Sequence, residues 1–179
     1  MIVLREIDTS DLCYAFVEHL WQSAFPIEER RDVDVQRYNV DRNDMFHCML
    51  AEDKGQAVGF FTYWDFETYC YGEHFAIDDV FRNQGYGRDV LSALLRHIGK
   101  PLVIEVELPS NALSLRRIAF YQRNGLRVWE HFPYVQPPYR TGGSSIEMLL
   151  MATSDLDPMN VGYEVVRTIY SNVYGVMPD

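Results

Sequence analysis

Hydrophobic and polar positions along this 179-residue chain switch between a two-residue and a helical period, and the switches mark its elements. Residues 2–7, IVLREI, read as a first strand. Leu12, Phe16 and Leu20, with Ala15, fall at helical spacing and predict a helix over 10–23. Pro26 ends it, and the formers behind it predict a second helix from 27 to 38, with Glu28, Glu29, Arg30 and Arg31 on a solvated face. A loop holding Asp41, Asn43 and Asp44 follows. Residues 45–52 and 57–64 read as strands joined by the hairpin signal Asp53-Lys54-Gly55, and 69–77 as a third run after Asp65-Phe66-Glu67. Val90, Leu91, Leu94, Leu95 and Ile98 form one helical stripe that Gly99 and Pro101 terminate.

Residues 102–107, LVIEVE, make a further strand, parallel to the one before the helix if the crossover is right-handed. A helix over 112–124 has Ser110 or Asn111 for its N-cap and Asn124-Gly125 for its exit. Residues 126–135 and 146–152 read as two closing strands around a loop with Pro137, Pro138, Gly142 and Gly143. Val161, Val165, Ile169 and Val173 predict a terminal amphipathic helix over 160–174. With no repeat or linker, the division expected is one domain over 1–152 and a C-terminal extension over 153–179 packed on it.

Composition narrows the function. Hydrophobic residues make up 47% and charged residues 23%, an ordinary globular balance. Sixteen Lys and Arg against 26 Asp and Glu leave a formal charge of -10, which argues against nucleic acid as partner. The acidity suits a cationic substrate such as an amine, although solubility alone accounts for it. Cys13, Cys48 and Cys70 have no spacing that suggests a disulfide framework or zinc site, and each reads as a small buried hydrophobe. No signal-peptide core and no run of about 20 apolar residues is present, so no membrane association is expected and the setting reads as cytoplasmic.

One stretch carries candidate chemistry. In EHFAIDDVFRNQGYGRDVLSALL, a strand leads through Arg82-x-x-Gly85-x-Gly87 into a helix. Unpaired N–H groups and the dipole at a helix N-terminus favour an anion, and Arg82 adds a forked cation. On spacing alone a plain tight turn fits equally well. A dinucleotide fingerprint fails because Val90 stands where the third glycine belongs, and a Walker A loop lacks its Gly-Lys-Ser/Thr.

A second phrase, Ala119-Phe120-Tyr121-Gln122-Arg123-Asn124-Gly125-Leu126, ends the later helix. The two phrases and the order of elements together resemble the GNAT superfamily of acyl-CoA-dependent N-acetyltransferases, over roughly residues 1–152. That family's loop reads Arg/Gln-x-x-Gly-x-Gly/Ala, and its later helix commonly ends Phe-Tyr-x-x-x-Gly-Phe; Leu126 here replaces the last Phe. The resemblance implies an α/β (α+β) fold: a mixed, largely antiparallel sheet of six to seven strands, splayed between its central parallel strands, flanked by helices and followed by a C-terminal helix. It implies acetyl-CoA as co-substrate and no metal. Pantetheine is expected along Phe75, Ala76 and Ile77, and pyrophosphate at Arg82, Asn83, Gln84, Gly85, Tyr86, Gly87 and Arg88, with Asn111 and Tyr121 as further cofactor contacts.

The chemistry asks for two more parts. A protonated amine cannot attack a thioester until something takes its proton, and the departing thiolate gains from a donor. The resemblance gives the donor role to Tyr121, against the alternative of a core tyrosine. Glu73, Glu107 and Glu105 are the candidate bases, in that order, against salt bridging to Arg116, Arg117 or Arg127. Strand alternation sets His74 on the face opposite Glu73, as a structural histidine. Ser144-Ser145 lacks a nucleophile elbow, so direct transfer in a ternary complex is expected. The acceptor site is expected to draw on Trp21, Phe25, Trp64, Asp65, Glu67, Tyr134 and Tyr139, an aromatic pocket with carboxylates suited to a cationic amine. The reading is N-acetylation of a primary amine on a small molecule or peptide. Acylation of a protein lysine or N-terminus, and a non-catalytic CoA-binding scaffold, are the alternatives. A homodimer is the expected association.

Overall fold

A computed structural model describes residues 1–153 and 156–177. The chain divides into two compact units, Met1–Lys100 and Pro101–Asp179.

The first unit is a meander with a helix layer on each face. Strands β1 (Ile2–Glu6), β2 (Phe46–Asp53), β3 (Gln56–Asp65) and β4 (Cys70–Ile77) lie side by side in chain order, all antiparallel. Lys54 and Gly55 have φ of 52° and 77°, the left-handed pair that lets a two-residue turn follow the twist of β2 and β3. Because side chains alternate along β2, Leu50 packs under Val17, Leu20 and Trp21 of α1 (Tyr14–Ala24), while Ala51 meets Val90 of α3 (Tyr86–Ile98) on the other face. Val90, Leu91 and Leu94 are fully buried, as the stripe predicts.

Two sequence expectations fail here, for local reasons. The first helix starts at Tyr14 rather than residue 10, since Asp8 and Asp11 take the N–H groups of Ser10 and Cys13 at 2.8 Å and hold the segment in turns. Its buried stripe is Tyr14, Val17, Leu20 and Trp21, while Leu12 is 98% exposed. The second helix is not continuous from 27. A single 3-10 turn (Ile27–Glu29) precedes extended backbone at Arg30, and α2 runs from Val33 to Arg42, taking in Asp41. Arg31 is therefore not on a solvated face; it is 3% exposed.

The second unit is built on β8 (Ile146–Thr153), which pairs antiparallel with β5 (Leu102–Glu107) and with two short strands, β6 (Leu126–Val128) and β7 (Tyr134–Gln136). The expected single strand over 126–135 is thus two, which raises the described strands to eight rather than six or seven. His131 at φ 60° turns the chain between them, and Pro133 has no N–H to give a ladder. α4 (Ala112–Arg123) opens on a capping box in which Asn111 Oδ1 accepts from the N–H groups of Leu113 and Ser114 at 2.9 Å. α5 (Pro158–Ile169) continues into a wider π turn over Tyr170–Tyr174. Gly162 lets α5 approach closely, because a Cβ there would stand 2.5 Å from the Phe132 ring. Of the extension expected over 153–179, residues 154–155 and 178–179 lie outside the described residues.

Candidate active site

In the first unit, the glycine turn delivers a bare helix N-terminus. Asn83 (φ 62°) and Gly85 (φ 89°) take left-handed conformations on either side of Gln84, and Asp89 is the first residue of α3 whose N–H reaches back, to Gly85 O at 3.2 Å. The N–H groups of Tyr86, Gly87 and Arg88 consequently have no intrahelical acceptor. Arg82 braces the turn: Nε donates to Ile77 O at 3.0 Å and Nη1 lies 2.7 Å from Asp79. Its side chain is 49% exposed, leaving guanidinium surface for an anion beside the helix start. Gln84 Nε2 donates to Val80 O, and the Tyr86 hydroxyl to Asp53.

A second feature of this unit sits at the bulge in β4. The register passes from Thr62↔His74 to Tyr63↔Gly72, so Glu73 is the extra, unpaired residue. The bulge brings successive side chains together: His74 Nδ1 lies 3.6 Å from a Glu73 carboxylate oxygen, which corrects the expectation that His74 faces away. Arg31 grips Glu73 with both terminal nitrogens, Nη1 at 3.0 Å and Nη2 on the other oxygen, and Nη1 also donates to Gln36 Oε1 at 2.7 Å. The two side chains are 4% and 0% exposed. Burial is the largest single influence and pushes the Glu73 carboxyl up, but the charges and hydrogen bonds of Arg31 and His74 together outweigh it, leaving it at about 2. His74 Nε2 donates to Glu29 O at 2.9 Å, which fixes the tautomer and ties the segment before α2 to β4.

Of the residues expected at the acceptor site, this unit gathers Trp21 and Phe25 around His74, with ring centroids at 5.9 and 4.6 Å. Trp64 packs on Phe46 and under the Arg31 guanidinium. Asp65 is engaged by Lys100, and Glu67 is exposed. Phe75 packs in a tilted contact on Phe61, beside buried Ala76 and half-buried Ile77.

In the second unit a carboxylate is handled differently. Glu105 accepts from the Tyr134 hydroxyl and from the Tyr174 hydroxyl at 2.9 and 3.0 Å. Tyr174 in turn accepts from Gln136 Nε2 at 3.0 Å and packs against the tilted Tyr139 ring, centroids 4.8 Å apart. Burial, with Glu105 beside it, drives the Tyr134 phenol far above its ordinary range. Glu107 makes the bland contact instead, a half-exposed ion pair with Arg117 at 2.7 Å. Tyr121 on α4 is 9% exposed, and burial raises its phenol to about 12. Its hydroxyl makes no hydrogen bond among the described residues. Asn111, expected as a cofactor contact, spends its side-chain oxygen on the α4 cap.

Sequence reasoning missed Arg31, Gln136 and Tyr174. Arg31 was hidden by the expected helix face. Tyr174 lies one helical turn past Tyr170 on the helix predicted over 160–174, a polar pair that the valine stripe overshadowed.

Residues 13–126 match the Acetyltransferase (GNAT) family, and the chain belongs to it. A GNAT-family protein of Bacteroides thetaiotaomicron is 39% identical over 97% of this chain and 99% of its own, with a TM-score of 0.94. More distant structures share the fold. The ribosomal-protein-S18-alanine N-acetyltransferase of Escherichia coli has 22% identity over 88% of this chain and 99% of its own, with a TM-score of 0.60. A GNAT acetyltransferase of Elizabethkingia anophelis with acetyl-CoA bound has 14% identity over 85% and 97%, with a TM-score of 0.55. No curated protein matches the chain. No described helix is long and apolar enough to cross a membrane.

Proposed function

We propose that the protein moves the acetyl group of acetyl-CoA directly to a primary amine of a small molecule or peptide, within a ternary complex. Family membership gives the reaction class, and related folds carry acetyl-CoA. Pyrophosphate rests on the N–H groups from Gln84 to Arg88 with Arg82 beside it, and pantetheine runs along Phe75, Ala76 and Ile77. The amine nitrogen attacks the thioester carbonyl, the C–S bond breaks, and its electron pair leaves with sulfur. Tyr121 carries this reading: a buried phenol held at about 12 keeps its proton across neutral pH, and its hydroxyl has no acceptor among the described residues to distract it from the thiolate.

The expected order of bases changes. A carboxylate at about 2, clamped by Arg31, has little tendency to take a proton from an ammonium, so Glu73 serves to hold Arg31 and His74 in place. Glu105, whose contacts include two phenol O–H groups able to relay a proton, is the better acceptor. Thiol release from acetyl-CoA over a panel of polyamines, aminoglycosides, amino acids and peptides tests the activity. Tyr121→Phe lowers kcat at least tenfold with acetyl-CoA affinity nearly unchanged, and a fully active variant removes Tyr121 from the mechanism. Binding of acetyl-CoA without turnover of any amine favours a CoA-binding scaffold.

A further inference from the structure

Within the first unit, the buried side-chain nitrogens without a partner include three donors: Trp21 Nε1, Arg30 Nε and Trp64 Nε1. Burying an N–H with no acceptor is costly, so three in one unit call for something that accepts. Arg30 stands out among them. Its guanidinium lies 5.2 Å from the centroid of the Trp21 ring, and it forms no ion pair among the described residues, although neighbouring Arg31 is fully engaged by Glu73 and Gln36. Half-buried cations are seldom left uncompensated. Arg30 is also held in place from both sides, because Glu29 O accepts from His74 Nε2 and Arg31 is locked onto Glu73. The Trp21 ring that carries Arg30 also touches His74, so the cation sits beside the β4 bulge.

We infer that Arg30, with Trp21, forms a subsite for an anionic group, and that the acetyl acceptor is an amine bearing a carboxylate, such as an amino acid, rather than a polyamine. This rests on the N-acetyltransferase reading and adds the acceptor's charge to it. A carboxylate suits the forked guanidinium of Arg30. It reverses the expectation drawn from net charge, since an overall charge of -10 says nothing about one pinned arginine.

The test compares free L-amino acids with their carboxamides in the thiol-release assay, for the wild type, Arg30→Gln and Arg30→Lys. The expected result is a wild-type kcat/KM at least tenfold higher for the carboxylates, mostly through KM. In Arg30→Gln that ratio collapses to within about threefold, and Arg30→Lys recovers part of it, as a charge-assisted contact requires. Equal use of carboxylates and carboxamides by the wild type, or an unchanged ratio in Arg30→Gln, overturns the subsite. If no amine is turned over, the acetyltransferase reading fails, and calorimetric titration of the CoA-loaded protein with the same amino acids decides the subsite separately. Binding that Arg30→Gln abolishes and Arg30→Lys keeps in part upholds it; binding indifferent to Arg30, or none, rejects it.

Discussion

Glu73 and Glu105 are the same residue type set in the strands of two different units, and the protein treats them oppositely. Glu73 is sealed from solvent and matched by a buried guanidinium, an arrangement that keeps it ionised and makes it inert toward protons. The contacts of Glu105 include phenols from β7 and from the turn after α5, O–H donors that can exchange protons. A carboxylate near a reaction can thus be a fixed charge or a proton acceptor, and its donors decide which.

The contrast can be broken at its strongest point first. Arg31→Met strands Glu73 in the interior, and loss of one partner of a buried pair costs roughly 3–5 kcal/mol. Denaturant unfolding should show a fall of that order, with most of it recovered when Glu73→Gln is added. The next effect is kinetic. Glu105→Gln should lower kcat/KM about tenfold above the rising limb of its pH profile and flatten the limb, whereas Glu73→Gln should leave the limb where it is. A limb that moves with Glu73 instead would return the base role to it. The smallest effect is in acid stability. Because folding depresses the Glu73 carboxyl, its contribution is complete above the unfolded value near 4.5 and is lost as pH falls toward about 2. Stability measured between those values should therefore decline less steeply in Glu73→Gln.

The sequence made most of the elements legible. Lys54-Gly55 announced its turn, the Val90–Leu94 stripe its buried face, and Asn111 its cap. The failures share one cause, competition from groups the local pattern does not weigh. Asp8 and Asp11 drew backbone N–H groups away from a helix start. Pro133, with no N–H to give a ladder, breaks the strand expected over 126–135 in spite of its apolar neighbours. In the site, Tyr121 and the glycine turn were readable because each belongs to a phrase contiguous in sequence. Arg31 and Tyr174 were not, because each is defined by a partner 42 or 69 residues away. The bulge at Glu73 was equally hidden, since an extra residue in one strand exists only relative to the register of the other.

That 69-residue span has a consequence in time. During synthesis, both partners of the Arg31–Glu73 pair are available once residue 73 has emerged from the ribosome. Glu105 must wait for nearly seventy more residues before Tyr174 arrives. Until then a strand carboxylate lacks one of its phenols, so this contact of the second unit is completed only when nearly the whole chain has been made.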